Sequence, residues 1–229
     1  MPESILVVAA HPDDEVLGCG GTIARHAAAG DAVHVAILAK GLASRGEPSP
    51  ADLAELCAAA ERAGSVLGTS SLQLHDNPDN RMDTIPALDL AKTVEALLAR
   101  FHPSVVYTHW AGDVNVDHRQ VHQAVVTACR PLPGHPVERL LFFEIQSSTE
   151  WQTPWSAPAF NPNYFVDVTG TLDAKLTALS AYASELREFP HPRSLRAVEY
   201  LARWRGATVG VDAAEAFVLG RQILRGDRW

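Results

Sequence analysis

Short apolar runs alternate with amphipathic segments along most of the chain. The β-branched run at residues 5–10 is typical of a strand buried on both faces of a parallel sheet. Residues 16–29 have a helical pattern that stops at Gly30, a residue that closes helices well in the left-handed conformation. Further predicted strands cover residues 32–39, 71–74, 104–108, 140–145 and 164–168, and further predicted helices cover residues 50–67, 85–101, 118–129, 171–187 and 195–205.

This alternation of strands and helices predicts the fold class. With right-handed crossovers it gives an α/β fold, a three-layer sandwich around a mostly parallel, Rossmann-like sheet. A chain of 229 residues with 47% hydrophobic positions can bury one substantial core, so we predict a single domain spanning residues 1–229. Ligands in such folds bind beyond the carboxyl ends of the strands. The loops that follow the strands are therefore the place to look for chemistry.

Charge and composition narrow the range of partners. The chain carries 27 acidic and 19 basic residues, a net charge of -8, which disfavours binding to nucleic acid or to anionic lipid. The apolar run at residues 5–10 is far shorter than the ~20 residues that span a bilayer, and no basic segment precedes it. We therefore expect a cytoplasmic protein with no nucleic-acid and no membrane partner. The three cysteines are widely spaced and are predicted to be reduced thiols. A homo-oligomer is a possibility that the sequence does not decide.

The strongest chemical signal is the motif His11-Pro12-Asp13-Asp14-Glu15 between the first strand and the first helix. Pro12 fixes the backbone, so that His11 and one of the two aspartates can converge on a cation while the other points elsewhere. Zinc accepts nitrogen and oxygen ligands of this kind, and catalytic zinc sites commonly have three protein ligands and a water. Acidic residues before a helix also serve as caps, so the motif alone allows both interpretations.

A third metal ligand is expected from another strand end. The segment at residues 109–118 follows the predicted strand at 104–108 and so opens on the same edge of the sheet. It supplies His118, with Asp117 beside it. His11, the two aspartates and His118 at matching strand ends together favour a metal site over isolated helix caps.

These residues resemble a known family, the zinc-dependent de-N-acetylases called LmbE-like or PIG-L, which are related to N-acetylglucosaminyl-phosphatidylinositol deacetylase. The resemblance covers nearly the whole chain, at residues 10–15, 18–21, 41–46, 55–68, 79–83, 113–118, 191–194 and 215–217. The first motif followed by a downstream Asp-His pair is more specific than any glycine pattern. The resemblance implies an amidase that removes an acyl group, usually acetyl, from the nitrogen of an amino sugar or a sugar-containing small molecule.

The resemblance also implies roles for the residues that match the motifs. His11, Asp14 and His118 would bind zinc, and Asp13 would be the catalytic base. A metal lowers the pKa of a bound water towards ~7, and a nearby carboxylate can take its proton and return it to the leaving amine. Ligand chemistry of this kind does not select zinc uniquely, so Fe²⁺ or another divalent ion is an alternative cofactor.

Three further residues are predicted to act in catalysis. Asp117 is expected to hydrogen-bond the free nitrogen of a ligand histidine, with a helix cap as the alternative. The chain departs from the family at Asn115, where many members have a histidine that helps to stabilise the tetrahedral oxyanion. Asparagine can donate a hydrogen bond there but cannot supply a proton. His191, in the His-Pro-Arg-Ser segment, is the predicted replacement, with a structural role as the alternative.

Loop residues outside these motifs are predicted to bind substrate. Arg45 follows the second predicted strand, and Arg81 with Asp83 follows the third. At the ligand edge of the sheet these side chains could hydrogen-bond sugar hydroxyls or a phosphate, with a solvated surface as the alternative. The expected partner is a small-molecule N-acyl amino sugar or glycoside.

Three other functions compete with this prediction. The same site could act as an amidase on a thiol-sugar conjugate. A metal-binding protein without catalysis is favoured if the change at Asn115 abolishes turnover. A nucleotide-binding protein is suggested by Gly18, Gly20 and Gly21 after the first strand, but these glycines lie within or just before the helix, and the turn itself holds acids that would repel phosphate.

Overall fold

The computed structural model describes residues 2–41 and 49–224, and within these residues seven strands form one sheet flanked by six helices. The strands are Ser4–Ala9 (β1), Ala32–Ala39 (β2), Ser71–Asn77 (β3), Val105–His109 (β4), Arg139–Phe143 (β5), Tyr164–Asp167 (β6) and Ala214–Gln222 (β7). The helices are Asp14–Ala28 (α1), Pro50–Leu67 (α2), Ala87–Phe101 (α3), Val116–Ala128 (α4), Leu172–Ser180 (α5) and Leu195–Ala207 (α6).

The strand order confirms the predicted α/β sandwich with a mostly parallel sheet. The order is β3-β2-β1-β4-β5-β7-β6, and β1 to β5 are parallel. From β1 the chain first builds outward to β2 and β3 and then returns to the other side with β4. The strand order therefore reverses between β1 and β4, and a crevice forms beyond the carboxyl ends of strands at such a point.

Strand β1 is the centre of the core. Alternate side chains of β1 point to opposite faces of the sheet: Ile5 and Val7 pack with α1, α2 and α5, whereas Leu6 and Val8 pack with α3 and α4. All four side chains are fully buried. Burial on both faces explains why the run at residues 5–10 is apolar throughout instead of alternating.

The structure differs from the predicted elements in several places. Helix α1 begins at Asp14, two residues earlier than predicted, and α5 ends at Ser180, seven residues earlier. Strand β7 was not predicted at all. It runs antiparallel between β5 and β6, and its apolar run is interrupted by Glu215, a buried charge that the hydrophobic pattern does not anticipate.

The glycines of α1 serve close packing. A Cβ atom added to Gly18 would lie 2.5 Å from a ring carbon of Phe143 on β5. The helix kinks at Cys19, and past the kink the N–H groups of Gly21 and Thr22 donate to the Glu215 carboxylate at 2.9 and 2.7 Å. These amides already hold a protein carboxylate, which leaves the nucleotide-binding alternative without its phosphate site.

The remaining predictions from composition concern the thiols and the membrane. All three cysteines of the chain lie in its described part and are free, and two of them are buried. Across residues 2–41 and 49–224, none of the helices has the length and apolar character needed to cross a membrane.

We predict that Gly18→Ala destabilises the fold by about 1–3 kcal/mol, because the new methyl group overpacks the contact with Phe143. Gly170→Ala is the matched control: Gly170 is exposed and a Cβ there would meet nothing within 4 Å, so its effect should stay within about 0.5 kcal/mol. Urea unfolding of the metal-free proteins measures both. Equal unfolding midpoints for the two variants would show that α1 does not pack as described.

Candidate active site

A cavity of about 90 Å³ opens at the carboxyl ends of the central strands. Its walls come from the loops after β1, β2, β3 and β4, from helix α2, and from the segment between α5 and α6. The lining residues are His11, Pro12, Asp13, Gly41, Leu56, Asp79, Asn80, Asn115, Glu185 and Arg193. The cavity therefore lies where the reversal of strand order places a crevice.

His11, Asp14 and His118 bring two imidazole nitrogens and a carboxylate oxygen within 4.8 Å of one another beside this cavity. Asp14 Oδ2 lies 3.3 Å from His11 Nδ1 and 3.3 Å from His118 Nε2. Asp14 Oδ1 and His118 Nε2 are buried, and neither finds a hydrogen-bond partner among the described residues. Buried polar atoms rarely stay unsatisfied, so the geometry fits a cation. Two histidines and a carboxylate suit zinc or a related divalent ion.

The other ring nitrogen of each histidine faces a second carboxylate. His11 Nε2 lies 2.9 Å from Asp117 Oδ2, and His118 Nδ1 lies 3.2 Å from Asp113 Oδ1. Asp113 is held by the hydroxyl groups of Ser148 and Thr149. Such outer carboxylates orient a metal-binding imidazole and fix its tautomer.

A second group, His11, Asp79 and Asp117, also has ligand atoms within 4.8 Å of one another. However, Asp117 Oδ2 accepts the Asn80 N–H at 2.6 Å and Asp117 Oδ1 accepts the Met82 N–H at 2.9 Å. Both oxygens of Asp117 are therefore already used to hold the loop after β3. The group around Asp14, which has unsatisfied atoms, is the better metal site.

Asn115 is the N-cap of α4. Its Oδ1 accepts the backbone N–H groups of Asp117 at 2.8 Å and His118 at 3.4 Å, so the capping role that was the alternative for Asp117 belongs to Asn115. Its Nδ2 donates to Asn80 Oδ1 at 3.1 Å. The amide nitrogen is thus the part of Asn115 left for a ligand in the cavity.

Asp13 has an unusual backbone conformation for an aspartate. Its φ of 98° and ψ of -26° lie in the left-handed region, and its side chain is buried. Non-glycine residues rarely adopt this conformation, and such strain is concentrated at functional sites. Asp13 Oδ2 accepts a hydrogen bond from Arg193 Nη1 at 3.2 Å.

The pKa values of the two neighbouring aspartates are shifted in opposite directions. Burial raises the pKa of Asp13 well above its usual range, although the Arg193 guanidinium opposes the shift. Burial also acts on Asp14, but the charge of His118 and the hydrogen bond to His11 outweigh it and hold the pKa of Asp14 well below its usual range. Asp14 is thus ionised, whereas the raised pKa makes Asp13 the stronger base of the two.

The two histidines of the metal group are basic in the absence of a cation. Burial lowers the pKa of His11, but hydrogen bonds to Asp117 and Asp14 outweigh it and raise the pKa to about 10. Burial likewise opposes charge on His118, but the Asp14 charge and the Asp113 hydrogen bond raise its pKa to about 9. A metal must therefore displace protons from this site.

His109 is a site residue that the sequence interpretation did not assign. It is the last residue of β4, fully buried, and its ring stacks on His118 with the centroids 4.0 Å apart. Its Nε2 accepts the Ala10 N–H at 2.8 Å, and burial holds its pKa well below the usual range. His109 is thus a neutral packing partner that fixes the plane of the His118 ring.

His191 does not occupy the position predicted for it. Its Nδ1 accepts the Arg193 N–H at 3.1 Å, and its ring contacts Trp151 with the centroids 5.9 Å apart. Within the described residues it neither lines the cavity nor bonds to Asp13. The tight turn at Pro192 directs the next side chain, Arg193, into the cavity instead. Arg193 was not among the site residues predicted from the sequence.

The predicted substrate residues are also displaced from the cavity. Arg81 and Asp83 are exposed and, in the part of the chain that the structure covers, Asp79 and Asn80 line the cavity in their place. The reason is Met82, which is fully buried and turns its two neighbours outward. Arg45 lies outside the described residues.

A larger cavity of about 660 Å³ lies between the loop at residues 149–160 and Arg205. Among the residues that the structure describes, its lining includes none of the predicted site residues, and Arg205 there donates to both Glu144 oxygens at 2.8 Å. The side-chain chemistry therefore favours the smaller cavity as the candidate active site.

The sequence and the fold are similar to those of known proteins. Residues 6–129 match the family described as PIG-L, GlcNAc-PI de-N-acetylase. A 1D-myo-inositol 2-acetamido-2-deoxy-alpha-D-glucopyranoside deacetylase of Rhodococcus jostii is 30% identical, over 81% of this chain and 82% of the relative. The crystal structure of a conserved protein from Thermus thermophilus superposes with a TM-score of 0.76 at 29% identity, covering 99% of both chains.

A third protein has a similar fold, but a likeness of fold alone does not indicate which reaction is catalysed. The 4-carboxy-2-hydroxymuconate hydratase GalB of Pseudomonas putida has a TM-score of 0.78 at 22% identity, covering 99% of this chain and 100% of that one. At this identity the likeness concerns the fold. Because one fold can hold different chemistry, the reaction must be argued from the site.

We predict that metal binding strengthens as pH rises. The metal-free histidines are protonated at neutral pH, and a cation binds only the neutral imidazole, so each displaced proton adds about a tenfold gain in apparent affinity per pH unit. Zinc titrations against a competing chelator between about pH 6 and pH 8 measure the gain in apparent affinity. Calorimetric titrations in two buffers of different ionisation enthalpy count the protons released. A flat affinity without proton release would exclude these histidines as ligands.

Proposed function

Because this chain belongs to the PIG-L family of GlcNAc-PI de-N-acetylases, we propose that it is a metal-dependent hydrolase that removes the acetyl group from an N-acetylglucosamine-containing small molecule. The relatives are deacetylases, which hydrolyse an amide bond. The proposal is supported above all by one observation: His11, Asp14 and His118 converge at the edge of a cavity whose wall contains Asp13.

The metal in this proposal is zinc, with Fe²⁺ as the alternative. His11, Asp14 and His118 would hold a divalent ion, which would supply the Lewis acidity needed for amide hydrolysis by water. Asp117 and Asp113 keep the two imidazoles in the orientation that this requires. These outer contacts also fix which nitrogen of each ring is left for the cation.

Asp13 is the proposed base. Its carboxylate lines the cavity next to the metal group but is not a member of it, so it can take a proton from the attacking water. Water oxygen bonds to the acyl carbon, the carbon–nitrogen bond breaks, and Asp13 returns the proton to the leaving amine. Acetate and the free amino sugar result. The raised pKa of Asp13 suits a group that must both accept and release a proton.

Arg193 and Asn115 are the proposed partners of the tetrahedral oxyanion. Both line the cavity, and both carry N–H donors. Arg193 is anchored by Ser147, whose Oγ accepts from its Nε at 2.7 Å, and its Nη1 lies 3.7 Å from Glu185 Oε2. This fixed cation opposes the effect of burial on the Asp13 carboxylate and would stabilise negative charge on the substrate oxygen.

The substrate class follows from the lining and the relatives. The cavity is small and polar, which suits an acetamido group flanked by sugar hydroxyls more than a long acyl chain. Asp79 and Asn80 provide the hydrogen-bonding groups at this edge in place of Arg81 and Asp83. The named relatives act on an inositol glycoside of N-acetylglucosamine, so we propose a glycoside of this type as the substrate.

We predict that His118→Ala weakens zinc binding by at least about 100-fold and abolishes acetate release from the inositol glycoside of N-acetylglucosamine. His122→Ala is the matched control, because His122 lies one turn further along α4 and its Nδ1 bonds only to the carbonyl of His109 in the contacts seen across the described residues. Metal content after brief chelation and acetate release measure both variants. A wild-type zinc content in His118→Ala would refute the assignment of His118 as a ligand. A wild-type protein that binds zinc without releasing acetate would indicate a metal-binding protein without catalysis.

We predict that Asp13→Asn lowers kcat by about 10²- to 10⁴-fold and leaves the zinc content unchanged, because the base is lost while the metal group stays intact. The control is Asp31→Asn, which removes a carboxylate that bonds a histidine, His26 at 2.7 Å, beyond the far end of α1. Asp31→Asn should keep wild-type turnover. Retention of more than half of the wild-type kcat by Asp13→Asn would assign the base to another residue.

A further inference from the structure

We propose that Glu15 and Tyr182 are positioning residues that hold the backbone of Asp13 in its reactive conformation. The inference rests on the proposed function, in which Asp13 is the base. It concerns how that base is kept in place. Neither residue lines the cavity, so each acts on the reaction through Asp13.

Glu15 is a buried carboxylate whose two oxygens face two donors. Oε2 accepts the backbone N–H of Asp13 at 3.2 Å, and Oε1 accepts the Tyr182 hydroxyl at 2.5 Å. Glu15 is 3% exposed and Tyr182 is fully buried. Burying a carboxylate is energetically unfavourable unless its oxygens accept hydrogen bonds. Glu15 and Tyr182 therefore form a hydrogen-bonded unit and are not merely part of the apolar core.

Glu15 holds the backbone of Asp13, the residue with the strained conformation. Asp13 has a φ of 98°, which a side-chain-bearing residue adopts only when its surroundings enforce it. The Asp13 carbonyl is fixed by the N–H groups of Val16 and Leu17 in the first turn of α1, and the Asp13 N–H is fixed by Glu15. Both sides of the residue are thereby restrained, which aims its carboxylate at Arg193 and the cavity.

Tyr182 gives this restraint a rigid support. It lies two residues past the end of α5, its backbone N–H bonds to the Leu179 carbonyl at 3.0 Å, and its side chain is fully buried. Glu185, three residues later, donates its N–H to the Tyr182 carbonyl at 2.9 Å, and its carboxylate faces Arg193. The end of α5 thus contacts the base from two sides, through Glu15 on the backbone and through Arg193 on the carboxylate.

Tyr182→Phe tests the proposal, because it removes one hydroxyl group and leaves the ring in place. Tyr107→Phe is the matched control: Tyr107 is equally buried and its hydroxyl also has one side-chain partner, His26 Nε2 at 3.0 Å, near the other end of α1. We expect Tyr182→Phe to lower kcat by about 10- to 100-fold with KM and zinc content unchanged, as small misplacement of a catalytic group does. Tyr107→Phe should keep wild-type kcat even if its Tm falls equally.

Glu15→Gln provides a second measurement if Tyr182→Phe is too unstable to assay. An amide can accept from only one of the two donors, so an NH₂ group would face either the Asp13 N–H or the Tyr182 hydroxyl. We expect a similar loss of kcat, and the double variant should lose little more than either single one because both changes break the same support. Additive losses would show that the residues do not act as one unit.

The outcomes separate this inference from the proposed function. The wild type is assayed first for acetate release from the inositol glycoside of N-acetylglucosamine, and no release would overturn both. If the wild type is active and Tyr182→Phe matches Tyr107→Phe in kcat and Tm, only the positioning role fails. Equal loss of zinc and kcat in Tyr182→Phe would also overturn it, because the pair would then support the metal group instead of the base.

Discussion

The structure around the candidate active site depends on the need to satisfy several carboxylates buried beside the ends of β1 and β4. Each must find a cation or N–H and O–H donors, because an unpaired buried charge is far more costly than any single contact that replaces it. They include Asp13, Asp14, Glu15, Asp113 and Asp117. Asp14 faces two histidines and Asp13 faces Arg193, while the others accept hydrogen bonds from backbone and hydroxyl groups.

This constraint explains why distant segments of the chain meet at β1. The loop after β3 offers its amides to Asp117, the loop after β5 offers two hydroxyl groups to Asp113, and the region after α5 supplies Tyr182 and Arg193. The different partners also give neighbouring carboxylates different properties. Asp14 stays ionised beside imidazoles, whereas burial raises the pKa of Asp13, so one motif can provide both a metal ligand and a base.

Much of the fold and part of the site could be predicted because the evidence is local in the chain. The apolar run of β1, the cap and proline that begin α2, and the dense motif at residues 11–15 are all continuous segments. Strand β7 could not be found this way, since Glu215 interrupts its pattern and its charge is acceptable only beside Lys175, at 2.6 Å, and the amides of α1. His109 was missed because a histidine at a strand end gains its role only from the ring stacked on it.

The sequence alone predicts the α/β class, the central strand and the residues of the candidate metal group, because periodicity and motif spacing act over short stretches of chain. Only tertiary packing places Arg193 beside Asp13, turns His191 to Trp151, and buries Met82 so that Arg81 and Asp83 point outward. These outcomes depend on which side chain a turn directs inward and, for Arg193, on a partner 180 residues away in the chain. Such contacts are selected by packing and by the satisfaction of buried charge, neither of which is written in any single segment.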